Sequence, residues 1–133
     1  MQIIKIIIYL AVLFSLASTG VAEECTECVQ SDLVKGKCFE VKGEIYIYNG
    51  FPPNMRIETK DKIYGVGPIE NEFVPASVRA VMPTSIEGTF VLCPFNQTIT
   101  LPNDDVIIEM VCIKSVKNAW YWDQKTGEKK KLN

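Results

Sequence analysis

The chain has 133 residues, a formal net charge of −2, five cysteines and no histidine. Proteins that bind nucleic acids need a basic surface to neutralise phosphates, so this charge balance predicts no nucleic-acid partner. The lack of histidine excludes Ser-His-Asp and Cys-His catalysis and most zinc sites. We therefore expect a non-enzyme with no catalytic residues, no metal and no cofactor.

The N-terminus has the layout of a secretory signal peptide. Residues 1–22 hold a lone cation at Lys5, an apolar run over residues 6–16 and small residues ahead of Glu23. The run is shorter than the roughly 18 residues that a membrane-spanning helix needs, so we predict cleavage before Glu23 and no membrane span afterwards. The mature chain of about 110 residues is one domain's length, and we expect it to be secreted or periplasmic.

Residues 23–37 form a short, acidic N-terminal arm that carries a C-x-x-C motif. Cys25 and Cys28 have the spacing of thiol oxidoreductases, so a thiol-dependent redox protein is the alternative to a non-catalytic function. A redox pair needs a helix N-terminus that stabilises the thiolate, whereas the acidic neighbours of this pair raise the thiol pKa. We therefore favour a structural disulfide role for these cysteines.

All five cysteines follow the signal peptide, and most of them should be paired in an oxidising compartment. Because the count is odd, at least one thiol is free or bonded to another chain. We expect Cys93 to pair with Cys112, since both lie in apolar, strand-like segments near a shared core. Cys25, Cys28 and Cys38 then compete for the second bridge.

Residues 38–133 have the pattern of a single β domain. Apolar and polar residues alternate over residues 38–48, which predicts a half-buried strand with Tyr46 and Tyr48 on its outer face. A turn follows at Asn49. Further strands are predicted over residues 55–59, 62–66, 88–93 (closed by Pro94), 96–101, 105–116 and 119–122.

One further segment and the strand count decide the predicted fold. Residues 75–82 form a short helix opened by Pro75, or a plain loop. The strand over residues 105–116 is apolar on both faces, so we expect it to be central and covered on both sides. Six or seven short strands with at most one short helix are typical of a β-sandwich or a small barrel. We expect a small transthyretin-like or immunoglobulin-like sandwich.

Short motifs downstream of Cys38 resemble those of known families. The V-x-G, N-G-x-P and G-x-F motifs here resemble transthyretin-like and carboxypeptidase-regulatory β-sandwich modules; they comprise Val41, Gly43, Tyr48-Asn49-Gly50, Pro52 and Gly88-Thr89-Phe90. A closer resemblance is to small exported bacterial proteins of unknown function with the pattern C-F-x-V-x-G and Y-N-G-x-P-x-x-R-I. The matching residues are Cys38-Phe39, Val41, Gly43, Tyr48-Asn49-Gly50, Pro53 (shifted by one position), Arg56-Ile57, Gly65-Val66, Cys93-Pro94 and Val111-Cys112. The resemblance implies a β-sandwich and no specific activity, and the histidines of transthyretin-like hydrolases are missing.

Two aromatic pairs are candidate binding surfaces. Trp120 and Trp122 share one face of the last predicted strand, where they would stack on a sugar ring or anchor a protein partner unless that face packs inside. Tyr46 and Tyr48 form the second candidate. The sequence therefore predicts an exported, disulfide-containing β domain that binds a protein or glycan partner or serves as a structural module of the cell envelope. It indicates no oligomeric state.

Overall fold

The computed structural model describes residues 23–67, 72–103 and 105–132. The predicted signal peptide, residues 1–22, lies outside these ranges. Within them, no helix is both long enough and apolar enough to cross a membrane.

The described part of the chain contains two short helices and six strands. In chain order they are α1 (Thr26–Val29), β1 (Phe39–Ile47), β2 (Met55–Glu58), β3 (Ile63–Val66), α2 (Ala76–Val81), β4 (Ile86–Thr100), β5 (Ile107–Trp122) and β6 (Lys129–Lys131). The helix alternative for residues 75–82 is thus confirmed, with Pro75 at the N-cap of α2. Helix α1, in the N-terminal arm, makes the number of helices two, whereas we expected at most one.

Strands β1 to β5 close into a barrel. The strand order is β3-β2-β1-β4-β5-β6, and a parallel pairing between β3 and β5 closes the ring. The other neighbouring strands are antiparallel, and β6 extends the sheet from β5. This connectivity, with α2 between β3 and β4, is that of the OB-fold, a five-stranded Greek-key barrel. The predicted transthyretin-like or immunoglobulin-like sandwich is therefore wrong, although the β-rich character is confirmed.

The length of two strands explains why the sandwich prediction failed. β4 replaces the two strands predicted over residues 88–93 and 96–101, and β5 replaces those predicted over residues 105–116 and 119–122. The pairing of β4 with β5 shifts register at three places along their length. Bulges of this kind bend and twist a strand, so one long strand can follow the curved wall of a barrel.

The barrel interior holds the apolar side chains of the alternating strand patterns. Ile45 of β1, Ile57 of β2 and Phe90 of β4 are fully buried, and α2 adds Val78 to the same core. Removing such side chains from water contributes about 25 cal/mol per Å² of apolar surface. The core therefore fixes which face of each strand points inward and which is left for function.

The middle of β5 is covered on both sides, as predicted. Met110, Val111, Cys112 and Ile113 are four successive buried residues, so neither face of the strand meets solvent there. One face belongs to the barrel interior and the other is covered by the N-terminal arm. A bond from the backbone N–H of Cys25 to the carbonyl oxygen of residue 114, 2.7 Å long, helps to hold the arm in place.

Two disulfides hold the N-terminal arm at the barrel wall, one from within the arm and one from Cys38, directly after it. They are Cys28–Cys112 and Cys38–Cys93, and Cys25 is a buried free thiol. The expected Cys93–Cys112 bridge is therefore wrong. These two cysteines do lie opposite each other in the pairing of β4 with β5, but Cys112 is bonded to the arm and Cys93 to Cys38, directly after it. The apolar segments around Cys93 and Cys112 correctly predicted that both cysteines are buried. The sequence did not indicate where the arm packs.

Candidate functional site

Four aromatic side chains define one outer surface of the barrel, which we call the aromatic face. They are Tyr46, Tyr48, Trp120 and Trp122. Within each pair the residues are two positions apart, so both point to the same side of an extended chain. The rings of Tyr46 and Tyr48 have centres 6.4 Å apart.

The strand register places both aromatic pairs on this same face. Glu44 of β1 lies opposite Glu87 of β4, and Glu87 lies opposite Trp120 of β5. Residues directly opposite each other in antiparallel strands project from the same side of a sheet. Tyr46 lies two positions after Glu44, and Trp122 lies two positions after Trp120. Because β1 and β5 run in the same direction, Tyr46 and Trp122 lie at the same level along the sheet. With neighbouring strands about 4.8 Å apart, their backbones are about 10 Å apart.

Solvent reaches the tryptophans more than the tyrosines. Trp120 is 40% exposed and Trp122 is 48% exposed, whereas Tyr121 between them packs against the core. The alternative that the two tryptophans pack inside the domain is therefore wrong. Tyr46 and Tyr48 are half-buried, so they expose less of their rings than the tryptophans do.

Hydrogen bonds hold the tyrosine rings in place. The hydroxyl of Tyr46 donates to Glu44 Oε2 over 2.7 Å, and the hydroxyl of Tyr48 donates to Glu58 Oε1 over 2.7 Å. Ser85 Oγ donates to the other oxygen of Glu44 over 2.6 Å. The bond to the Glu44 carboxylate raises the pKa of Tyr46 from 10.0 to about 12, and the bond to Glu58 raises the pKa of Tyr48. Both phenols therefore stay protonated at neutral pH.

A buried guanidinium on the neighbouring strand β2 supports the face. The guanidinium carbon of Arg56 lies 4.3 Å from the centre of the Tyr48 ring, a distance at which a cation is attracted to an aromatic face. Arg56 Nε also donates to the carbonyl oxygen of Pro53 over 2.9 Å, and Nη2 to that of Phe51 over 3.0 Å. The same side chain thus positions Tyr48 and the loop between β1 and β2.

The tryptophan end of the face is basic. Lys131 lies opposite Trp120, and Lys129 lies opposite Trp122. The ammonium of Lys129 is 5.9 Å from the centre of the Trp122 ring and forms an ion pair with Glu87. Sequence reasoning found the four aromatic residues but missed these charged neighbours. Lys129 and Lys131 lie on the same side of the sheet as the two tryptophans, and only the pairing register of β5 with β6 shows this.

The C-x-x-C motif does not form a bridge of its own. Cys28 is bonded to Cys112, and Cys25 is 2% exposed. The Cys25 thiol lies 3.4 Å from the carbonyl oxygen of Glu72 and 3.8 Å from a carboxylate oxygen of Glu27. Burial is the main cause that raises the thiol pKa. A backbone hydrogen bond at Cys28 lowers it by less, and the Glu27 charge and hydrogen bond raise it further. A buried thiol with a raised pKa is a poor nucleophile.

The sulfurs of Cys28, Cys93 and Cys112 lie within 4.8 Å of one another. A metal site of three cysteines needs free thiolates. All three of these residues are oxidised in disulfides, so the cluster is two adjacent bridges.

No family model, no curated protein and no solved structure matches this chain. The resemblance to small exported bacterial proteins stays a prediction. Since a fold does not determine a function, the aromatic face has to be judged on its own chemistry.

Proposed function

We propose that this chain is an exported, non-catalytic binding domain that anchors a protein partner on its aromatic face. The observation that carries the proposal is the gathering of Tyr46, Tyr48, Trp120 and Trp122 on one outer surface. Tryptophan and tyrosine, with arginine, are the residues that contribute most to binding at protein interfaces. Two exposed tryptophans offer a large apolar area that a partner can remove from water.

The polar groups of the face favour a protein over a glycan. The carboxylates of Glu44 and Glu58 already accept hydrogen bonds from the tyrosine hydroxyls, and Glu87 is paired with Lys129. A sugar carries many hydroxyls that need hydrogen-bonding partners when they are buried. With these carboxylates already engaged, the exposed tryptophan rings are the main feature that a partner can contact, and that suits a protein side chain.

Export is part of the same proposal. Two disulfides are typical of proteins that fold in an oxidising compartment. The composition of residues 1–22 supplies the predicted signal. Sequencing the N-terminus of protein recovered from outside the cytoplasm should give Glu23, and recovery from the cytoplasm with reduced thiols would contradict export.

The binding proposal is tested with immobilised mature protein. We expect Trp120→Ala and Trp122→Ala to lose a protein that the wild type retains from the extracytoplasmic fraction of its native source. Ile107→Ala is the matched control, because Ile107 is also an exposed apolar residue of β5, at 61% exposure, but lies at the opposite end of the strand.

A glycan array assayed with the same variants separates the alternatives. Loss of a glycan, and not of a protein, in the two tryptophan variants would replace the protein partner with a glycan. No tryptophan-dependent ligand in either assay would overturn the proposed role of the aromatic face.

A further inference from the structure

A second candidate site lies away from the aromatic face, in a cavity between the barrel wall and the segments that cover it. The cavity has a volume of about 540 Å³. Its walls come from the N-terminal arm, the loop between β1 and β2, the end of β3, and β4 and β5. Small-molecule sites usually have volumes of about 300–1,000 Å³.

The walls of this cavity are held by strong local contacts. Arg56 fixes one wall through its bonds to the carbonyl oxygens of Pro53 and Phe51. The arm contributes Leu33 to the lining and is held by the Cys28–Cys112 disulfide, by the Cys38–Cys93 disulfide directly after it, and by a bond of 2.7 Å from the Lys35 N–H to the carbonyl oxygen of Pro94. The cavity is therefore formed before a ligand arrives, which lowers the entropic cost of binding.

Glycine keeps part of this space open. A Cβ atom at Gly67 would lie 2.7 Å from Met110 Cε, and one at Gly65 would collide with Pro53. Larger side chains at these positions would displace Pro53 and Met110, which both line the cavity. The two glycines thus let the loop and Met110 pack closely against the end of β3 at the cavity wall.

The lining selects for an uncharged, apolar ligand. Among the described residues that line the cavity, none carries a charge, and most are apolar, including Leu33, Phe95, Ile99 and Met110. The polar side chains in the lining are Gln97 and Thr98, both neutral and both exposed. An ionised group placed here would lose its water without gaining an opposite charge.

We propose that the cavity binds the hydrocarbon chain of an uncharged lipid. The chain packs against the apolar lining, and the neutral head of the lipid forms hydrogen bonds with the Gln97 amide and the Thr98 hydroxyl at the exposed side. This site is separate from the aromatic face, and it goes beyond the function proposed above because neither site needs the other to bind its ligand.

The test compares three probes that share a ten-carbon chain. We measure binding of 1-decanol, monocaprin and decanoate to the mature, oxidised protein by calorimetry, below the concentrations at which the probes aggregate. We expect 1-decanol and monocaprin to bind at least about ten-fold more tightly than ionised decanoate, because the charge has no partner in the cavity. Equal affinity for decanoate, or no binding of the neutral probes, would overturn the proposal.

Matched variants locate the site. Leu33→Asp places a charge on the cavity wall, and we expect it to weaken 1-decanol binding at least about ten-fold. Val29→Asp makes the same change at another exposed apolar residue of the arm that does not line the cavity, and it should leave the affinity within about two-fold. Equal weakening by both variants would contradict the assignment.

A cavity-filling variant covers the case in which Leu33→Asp disturbs the fold. We expect Ile99→Trp to occupy the space, to keep the circular dichroism spectrum of the wild type and to lose 1-decanol binding. Trp120→Ala and Trp122→Ala should bind 1-decanol as the wild type does, so a failure of this proposal is distinguishable from a failure of the aromatic face.

Discussion

At the scale of single residues, Arg56 links the aromatic face to the loop that borders the cavity. It is 9% exposed, donates to the carbonyl oxygens of Pro53 and Phe51, and packs on the Tyr48 ring. Because hydrogen bonds from a charged group are worth about 1.5–3 kcal/mol, we expect Arg56→Met to lower the free energy of unfolding by about 2 kcal/mol. Urea unfolding measures this. An equal loss in Lys60→Met, at an exposed position between β2 and β3, would contradict this role.

Tyr46 carries a pH dependence that follows from its hydrogen bond. The Glu44 carboxylate raises the Tyr46 pKa from 10.0 to about 12. A phenol whose pKa is raised on folding contributes stability that is complete below its ordinary pKa of 10.0 and is lost as the pH rises towards 12. We expect Glu44→Gln to return the Tyr46 pKa towards 10.0 in an NMR titration of the tyrosine ring carbons. The matched variant Glu58→Gln removes the hydrogen-bond acceptor of Tyr48 instead of that of Tyr46. A Tyr46 pKa unchanged by Glu44→Gln would contradict the assigned cause.

At the scale of elements, the N-terminal arm depends on its bridges to the barrel. Helix α1 has four residues, whereas an isolated helix needs about 12 to be even marginally stable in water. We expect the double change Cys28→Ala and Cys112→Ala to lower the free energy of unfolding by about 2–5 kcal/mol. Hydrogen exchange should show the arm losing protection first. Cys25→Ala, which leaves both bridges, is the control, and a fully protected arm in the double variant would contradict its dependence on the bridge.

The strands show which elements a sequence can predict. The alternation over residues 38–48 located β1 because its two faces meet different surroundings, the core and the solvent. Pro94 was expected to end a strand, but β4 continues through it. The pairing of β4 with β5 shifts register between Pro94 and Thr98, and proline is tolerated at such irregularities, where the ladder is interrupted. A local pattern could not reveal this, because the interruption belongs to the pair of strands.

At the scale of the whole molecule, one pairing separates a barrel from a sandwich. Each strand has an inner and an outer face in both architectures, so periodicity alone cannot distinguish them. The ring closes where β3 runs parallel to β5, with Val66 beside Val111 and Gly65 beside Met110. We expect NMR cross-strand contacts between the backbones of these residues. Their absence, with β3 and β5 in separate sheets, would contradict the closed barrel.

The candidate site was also predictable only in part. Local spacing identified Tyr46 with Tyr48 and Trp120 with Trp122, because residues two apart share a side of a strand. Joining the pairs into one face required the order β1-β4-β5, which depends on contacts far apart in the chain. The same limit explains the wrong disulfide. A cysteine's burial is a local property, whereas its partner depends on where the arm packs.

The aromatic face is tested most directly by photo-crosslinking at two positions of β5. We would replace Trp122, or Ile107 as the control, with a photoreactive phenylalanine analogue and irradiate the protein in its native source. We expect a crosslink to a protein from position 122 and none to that protein from position 107. Equal crosslinking from both positions, or no protein captured at position 122, would contradict a protein-binding aromatic face.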